Sequence, residues 1–215
     1  MDIEGWEQRY RSGDHAAQDA PTILVVQVAD KLAPGTAIDL ACGTGRNALY
    51  LAERGWSVTA VDGSPKAIEL VQQRSAERGL QVHTEVADLT APNFTLLPRA
   101  FDLALIAYYL QRDLFDKVKA AVRPGGVVLA IVHTPEPGET WNEKRAAPGE
   151  LHNFFKDWEV LWEYEGPSRD PAHRRPVAEI VARRAVPRCS EDIHNVASAG
   201  RDAPLTRACD TGVRA

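Results

Sequence analysis

Sulfur is scarce in this 215-residue chain, which has three cysteines, Cys42, Cys189 and Cys209, and a single methionine. The cysteine spacing matches neither a zinc site nor a disulfide framework, so reduced thiols are expected. No stretch approaches the roughly 20 consecutive apolar residues of a membrane span. The opening residues, Met1 to Arg11, are polar and mixed in charge rather than signal-like. Positive charge is also in short supply: 25 Lys and Arg face 30 Asp and Glu, a formal net charge of -5. That balance excludes a broad nucleic-acid or membrane surface. The six histidines are scattered and the acids form no recognisable triad, so no metal is expected. Asn-Pro-Pro-Tyr, Asp-Pro-Pro-Tyr and Pro-Cys sequences are lacking, which removes common nucleobase-modifying chemistry, and there is no Tyr-x-x-x-Lys pair for hydride transfer. The expectation is a cytoplasmic protein, monomer or homodimer, acting on a small molecule without nucleic-acid or membrane partners.

With 44% hydrophobic residues the chain can bury one substantial core, and it is too short for two ordinary enzyme domains. From Thr36 onward, short β-branched runs alternate with helical stretches, the pattern of βαβ units in a mostly parallel sheet. Thr36 to Leu40, Ser57 to Asp62, Gln81 to Val86, Phe101 to Ala107 and Gly126 to His133 read as core strands. Arg46 to Arg54, Pro65 to Arg78 and Asp113 to Val122 read as helices, the last stopped by Arg123-Pro124-Gly125-Gly126 as a tight turn. Pro21 to Leu32 is predicted as a further helix, although its Val and Ile content would equally suit a strand. Trp158 to Glu165 and Pro176 to Arg183 read as a closing strand pair. Residues from Pro187 to Ala215 contain no aromatic group and few large apolar ones, which predicts a disordered tail. The domain is thus expected over residues 1–186, and the fold class is α/β.

The chemistry concentrates in Ile38-Asp39-Leu40-Ala41-Cys42-Gly43-Thr44-Gly45-Arg46-Asn47-Ala48, a strand entering a glycine turn that opens a helix. Gly43 and Gly45 let the backbone approach a ligand, and the free amides of the helix start attract an anion. Asp62 ends the neighbouring strand, where a carboxylate can accept two hydrogen bonds from a ribose diol, with Gly63 and Ser64 following it. Ala87, Asp88 and Leu89 end the next strand, within reach of an adenine amino group, and Ile106 lies near the end of the fourth. The glycine motif alone also suits a dinucleotide, as in an NAD(P)-dependent oxidoreductase. Asp39 discriminates, because a pyrophosphate would be repelled by a buried carboxylate. S-adenosyl-L-methionine offers an ammonium and a sulfonium against one carboxylate, so Asp39 can serve its cationic end while the helix amides serve the carboxylate.

The stretch Asp39-Leu-Ala-Cys-Gly-Thr-Gly-Arg-Asn-Ala-Leu-Tyr-Leu-Ala-Glu-Arg-Gly, followed by Val-Thr-Ala-Val-Asp62, resembles class I methyltransferases. Gly45-Arg46-Asn47, Arg123-Pro124-Gly125-Gly126 and Pro148-Gly149-Glu150-Leu151 before Trp158-Glu159-Val160 are similar to the tellurite-resistance and thiopurine methyltransferase-like branch. Similarity runs roughly from Trp6 to Arg184. The resemblance implies a Rossmann-like doubly wound sheet of seven strands, one edge strand reversed, with S-adenosyl-L-methionine over the carboxyl ends of the first strands. It also implies that residues 1–33 cover the cofactor, with Trp6, Arg9 and Tyr10 presenting aromatic faces to a sulfonium; ordinary helix packing is the competing reading. The cofactor set is completed by Ala41, Arg46 and Asn47.

Substrate-side candidates are Tyr108 and Tyr109 after the fourth strand, Arg112 beyond them and His15 in the N-terminal cover. Each has a plainer reading: ring packing, a residue before a helix, a turn residue. His133 ends a strand and is read as satisfying nearby backbone rather than moving protons. His173-Arg174-Arg175 is read as a solvated basic loop, with anion steering as the alternative. Methyl transfer from a sulfonium releases a neutral leaving group, so a dedicated base is optional. A signal-binding protein without catalysis would need the same cofactor residues.

Overall fold

A computed structural model describes residues 2–13, 19–140 and 142–187. The chain order is α1 (Ile3–Ser12), α2 (Ile23–Ala29), β1 (Thr36–Leu40), α3 (Arg46–Glu53), β2 (Ser57–Asp62), α4 (Pro65–Glu77), β3 (Val82–Val86), β4 (Phe101–Ala107), α5 (Leu114–Ala121), β5 (Val122–His133), α6 (Glu150–Phe154), β6 (Glu159–Gly166) and β7 (Val177–Arg183). The sheet has seven strands in the order β3-β2-β1-β4-β5-β7-β6. Strands β1 to β5 pair in parallel, while β7 runs antiparallel to both β5 and β6. The one reversed strand therefore lies a single place in from the β6 rim.

Period-two burial explains why these segments became strands. Leu103 and Leu105 of β4, and Val127, Leu129 and Ile131 of β5, face one apolar layer with Leu24 and Val25 of α2, Ala48 and Leu51 of α3 and Val71 of α4. Their neighbours Ala104, Ile106, Val128, Ala130 and Val132 face the other layer, with Phe115 and Val118 of α5 and Leu151 of α6. A sheet buried on both faces needs continuous apolar runs, and its centre has them. The segment after Pro21 is a helix because a row of Leu24, Val25 and Ala29 docks on that sheet, a tertiary gain that overrides its β-branched content.

The expected turn at residues 123–126 is different in detail. Val122 is already extended, pairing with Phe101, and the register then slips so that Leu103 meets Val127. Pro124 ends the helix as expected, but the glycines form an irregularity inside β5: Gly125 has φ 84, and a β-carbon on Gly126 would lie 2.8 Å from the Val122 side chain.

Neighbours of β1 are β2 on one side and β4 on the other, so the order of strand addition reverses there. In open α/β sheets a crevice opens beyond the carboxyl ends at such a reversal. Asp39, the glycine turn, Asp62 and Tyr108 all sit at this end. Of the predicted tail, only Pro187 lies within the described residues, and 188–215 lie outside them; so does His15.

Candidate functional site

A cavity of about 780 Å³ occupies the crevice, within the usual range for small-molecule sites. Of the residues read from the sequence, Trp6, Arg9, Tyr10, Asp39, Ala41, Gly43, Arg46, Asn47, Asp62, Gly63, Ser64, Asp88, Leu89, Tyr108 and Tyr109 line it. Four do not. Ile106 is fully buried between strands. Gly45 faces α4, where a β-carbon would lie 2.7 Å from the Val71 side chain, so its role is close helix packing and the αL start of α3 at φ 79. Ala87 packs beside the α5-side core. Arg112 points to Glu150, donating from Nε at 2.6 Å and from Nη2 at 3.1 Å, and it also donates to the carbonyls of Glu143 and Arg145. It secures the segment before α6 and does not reach the crevice.

Asp39 and Asp62 form one end of the cavity. Asp62 accepts from the Gly43 amide at 2.8 Å and the Ser64 amide at 2.9 Å, which locks the glycine turn to the start of α4. Burial pushes its pKa up, and those amides oppose the rise. Each of its oxygens keeps a further lone pair for a ligand hydroxyl. Asp39 is 1% exposed, and its Oδ2 has no hydrogen-bond partner. Burial raises its pKa to about 7, with Arg46 opposing and Asp62 reinforcing. A buried carboxylate oxygen without a donor is costly, and here it lines a cavity large enough for one. Cys42 is buried in the same turn, and its thiol is pushed well up by burial and by Asp39 and Asp62. It remains an unreactive thiol.

Helix α1 covers this end, although none of its own residues is buried. Trp6 and Tyr10 stack at 5.9 Å, Arg9 lies over the Trp6 ring, and a β-carbon on Gly43 would come within 3.0 Å of the Tyr10 hydroxyl. The residue that holds the cover is Glu7, which accepts from the Ser64 hydroxyl and from the Lys66 amide at 3.0 Å. Nothing in the sequence singled out Glu7, because its partners lie in a helix start more than fifty residues away. Asn47 has a similar hidden task, accepting from the Thr22 amide at 2.9 Å to fix the start of α2 on α3. At the far rim, Asp88 turns one oxygen to the Thr90 amide and hydroxyl, and Leu89 is buried beside it.

The opposite end is built from rings. Tyr108, in the left-handed region at φ 63, stacks on His173 with centroids 3.4 Å apart and planes 8° from parallel. His133 stands 5.4 Å from each of these rings. Asp170 ties them together: it accepts from the Tyr108 hydroxyl at 3.0 Å and from Arg46 Nη2 at 2.8 Å. Burial opposes, but the Ala172 amide, Arg46 and Tyr108 together hold the Asp170 carboxyl below its ordinary range.

One reading from the sequence is corrected at this end. His173 is not on a solvated loop but half-buried in the cavity, since Tyr108 and Arg46 give it a packed surface. Its loop neighbour Arg175 turns away to Glu136 and Glu139. His133 lines the cavity and also meets the Pro176 carbonyl, in keeping with its reading as a residue that satisfies nearby backbone. Asp170 is the organising residue, and nothing in the sequence singled it out. Its only signal was one acid in an otherwise basic stretch.

Residues 37–126 match the methyltransferase domain family. The chain is 28% identical over 144 residues to a probable S-adenosyl-L-methionine-dependent methyltransferase, TehB, of Haemophilus influenzae, covering 64% of this chain and 50% of that protein. It is 34% identical over 125 residues to a 2-heptyl-1-hydroxyquinolin-4(1H)-one methyltransferase of Mycobacteroides abscessus, covering 58% and 51% respectively. The chain thus spans about half the length of these curated relatives. The crystal structure of TehB from Haemophilus influenzae superposes with a TM-score of 0.68 and 25% identity, over 83% of this chain and 67% of that one. With its glycine turn between two buried acids, and with these similarities, the chain carries over residues 37–126 a segment that matches a methyltransferase domain family, and it is similar to class I S-adenosyl-L-methionine-dependent methyltransferases, TehB among them.

Proposed function

We propose that the crevice binds S-adenosyl-L-methionine and that the protein transfers its methyl group to a small-molecule acceptor. The observation that carries this reading is Asp39 Oδ2, a buried acceptor that faces a cavity and has no donor. An amino-acid ammonium supplies that donor, and Arg46 is unavailable for the task because it is paired with Asp170. The amides at the start of α3 then receive the carboxylate, Asp62 the ribose diol, and Asp88 with Leu89 the base. Trp6, Arg9 and Tyr10 close over the ligand, with aromatic faces suited to a sulfonium.

When bound, this cofactor supplies an electrophilic methyl group on a positively charged sulfur. The chain's own residues contribute alignment and exclusion of water, which supply much of the rate for such a displacement. The similarity to a methyltransferase of a hydroxyquinolone, a small molecule, supports an acceptor of that size. Among the described residues no helix is long and apolar enough to cross a membrane, and none of the described His, Cys, Asp and Glu residues group to hold a metal.

The test is turnover. Incubation of the full chain with S-adenosyl-L-methionine and pooled small-molecule extracts is expected to yield adenosylhomocysteine and a methylated product. Binding without turnover across chemically varied acceptors would instead support a non-catalytic receptor for the cofactor.

A further inference from the structure

The ring-lined end of the cavity has chemistry of its own, and its description as an acceptor subsite rests on the methyltransferase reading. Three rings converge there: Tyr108, His133 and His173. Flat rings favour a planar ligand, which gains by stacking or edge contact. The one full positive charge among the described residues lining this end is Arg46, and it is already matched by Asp170 at 2.8 Å. Arg175 is engaged by Glu136 and Glu139 outside the cavity. An oxyanion here would therefore meet a hydroxyphenyl ring, two imidazoles and a neutralised ion pair, with no uncommitted cation among the described residues lining this end to offset its dehydration.

His133 is oriented for a specific task. Its Nδ1 is buried without a hydrogen-bond partner, and the ring nevertheless lines the cavity. Nε2 is thus the nitrogen presented to a ligand. Facing the imidazole are Tyr108 at the end of β4, His173 and Arg175 from the β6–β7 connection, Arg145 from the segment before α6, and the Pro176 carbonyl. Burial lowers the His133 pKa, with the Pro176 carbonyl opposing and the two arginines reinforcing. His173 is pulled down to about 4 by burial and by Arg46. Both rings are neutral at physiological pH, and a neutral imidazole can accept a proton.

We propose that this end of the crevice admits an uncharged planar acceptor bearing a hydroxyl or ring N–H, and that Nε2 of His133 takes the proton released during transfer. The acceptor heteroatom forms its bond to the methyl carbon with its own lone pair. The electron pair of the broken carbon–sulfur bond stays on sulfur, giving a neutral thioether. The acceptor's proton passes to His133, and the imidazolium returns it to solvent. A metalloid oxyanion, by contrast, finds no unpaired cation among the described residues that line this end, where Arg46 is held by Asp170.

The experiment titrates the full chain with 2-naphthol, uncharged at neutral pH, and separately with selenite, each with and without adenosylhomocysteine. The imidazole resonances of His133 and His173 are followed in the unmodified protein. The expected result is that 2-naphthol shifts both resonances and selenite shifts neither. His133→Phe keeps the ring contacts but lacks Nε2, so it should bind 2-naphthol about five- to tenfold more weakly, the scale of one hydrogen bond. Resonance shifts caused by selenite, an empty site with 2-naphthol, or equal 2-naphthol affinity in a folded His133→Phe protein would each overturn the proposal. Binding of adenosylhomocysteine is read in the same samples. If it binds while 2-naphthol is rejected, the acceptor assignment fails alone; if it does not bind, the methyltransferase reading fails, and the 2-naphthol result still decides the subsite.

Discussion

Asp39, which the proposed function assigns to ligand binding, shows how such a residue can weaken the protein without its ligand. Its carboxyl is buried, one oxygen is unpartnered, and its pKa rises from 3.8 to about 7. Because the folded state binds the proton more tightly than the unfolded chain, the contribution of protonated Asp39 is complete below about pH 4 and is lost as pH rises towards 7. Asn in its place titrates nowhere. Thermal melts of the ligand-free protein from pH 4 to 8 should therefore show the native chain losing stability relative to Asp39→Asn across that window. Parallel curves would mean that Asp39 is not held protonated by its surroundings. The glycine turn and both acids were legible in the sequence, because they sit at the carboxyl ends of two strands that the sequence pattern marks. His133, Asp170 and His173 were not, because Asp170 meets Arg46 across 124 residues of sequence and no local pattern records such a pairing. Arg112 misled for the complementary reason: a cation just past a strand end resembles a substrate ligand until Glu150 is placed beside it.

Helix α1 is an element held on by few contacts. It buries none of its residues, and Glu7 is its polar anchor to Ser64 and Lys66, with Ser64 the main influence keeping that carboxyl below its usual range. Elements of this kind open well below the global unfolding free energy. Glu7→Ala should thus accelerate amide exchange throughout Ile3–Ser12 while leaving β1, β4 and β5 protected. Unchanged exchange in α1 would show that Trp6 and Tyr10 hold the helix without Glu7. On the other side, Arg112→Ala should cost about 1 kcal/mol, since its pair with Glu150 is partly screened by solvent, and should loosen the segment before α6. Adenosylhomocysteine affinity should not change, and a marked loss would return Arg112 to the ligand site. The strands of the sheet centre were read almost to the residue, since burial on both faces leaves short apolar runs with sharp polar limits. The slip within β5 was not, because it follows from how Val122 and Val127 register against β4, which is a tertiary fact.

At the scale of the molecule, the reversal of strand order at β1 makes one crevice with two chemically different ends. One end holds two buried carboxylates and a glycine turn; the other is a ring-walled space organised by Asp170. The net charge of -5 gives no sign of this division, because the decisive charges are internal and paired or awaiting a ligand. A buried acceptor facing a cavity identifies the ligand by its missing donor more sharply than the glycine pattern does, since that pattern serves dinucleotides as well. Calorimetry of the full chain with adenosylhomocysteine and with NAD, repeated on Asp39→Asn, tests this most directly. Adenosylhomocysteine should bind with proton release below about pH 7, as its ammonium drives Asp39 to ionise; NAD should not bind, and Asp39→Asn should lose most of the adenosylhomocysteine affinity. Tight NAD binding, or full adenosylhomocysteine affinity in a folded Asp39→Asn protein, would contradict the account.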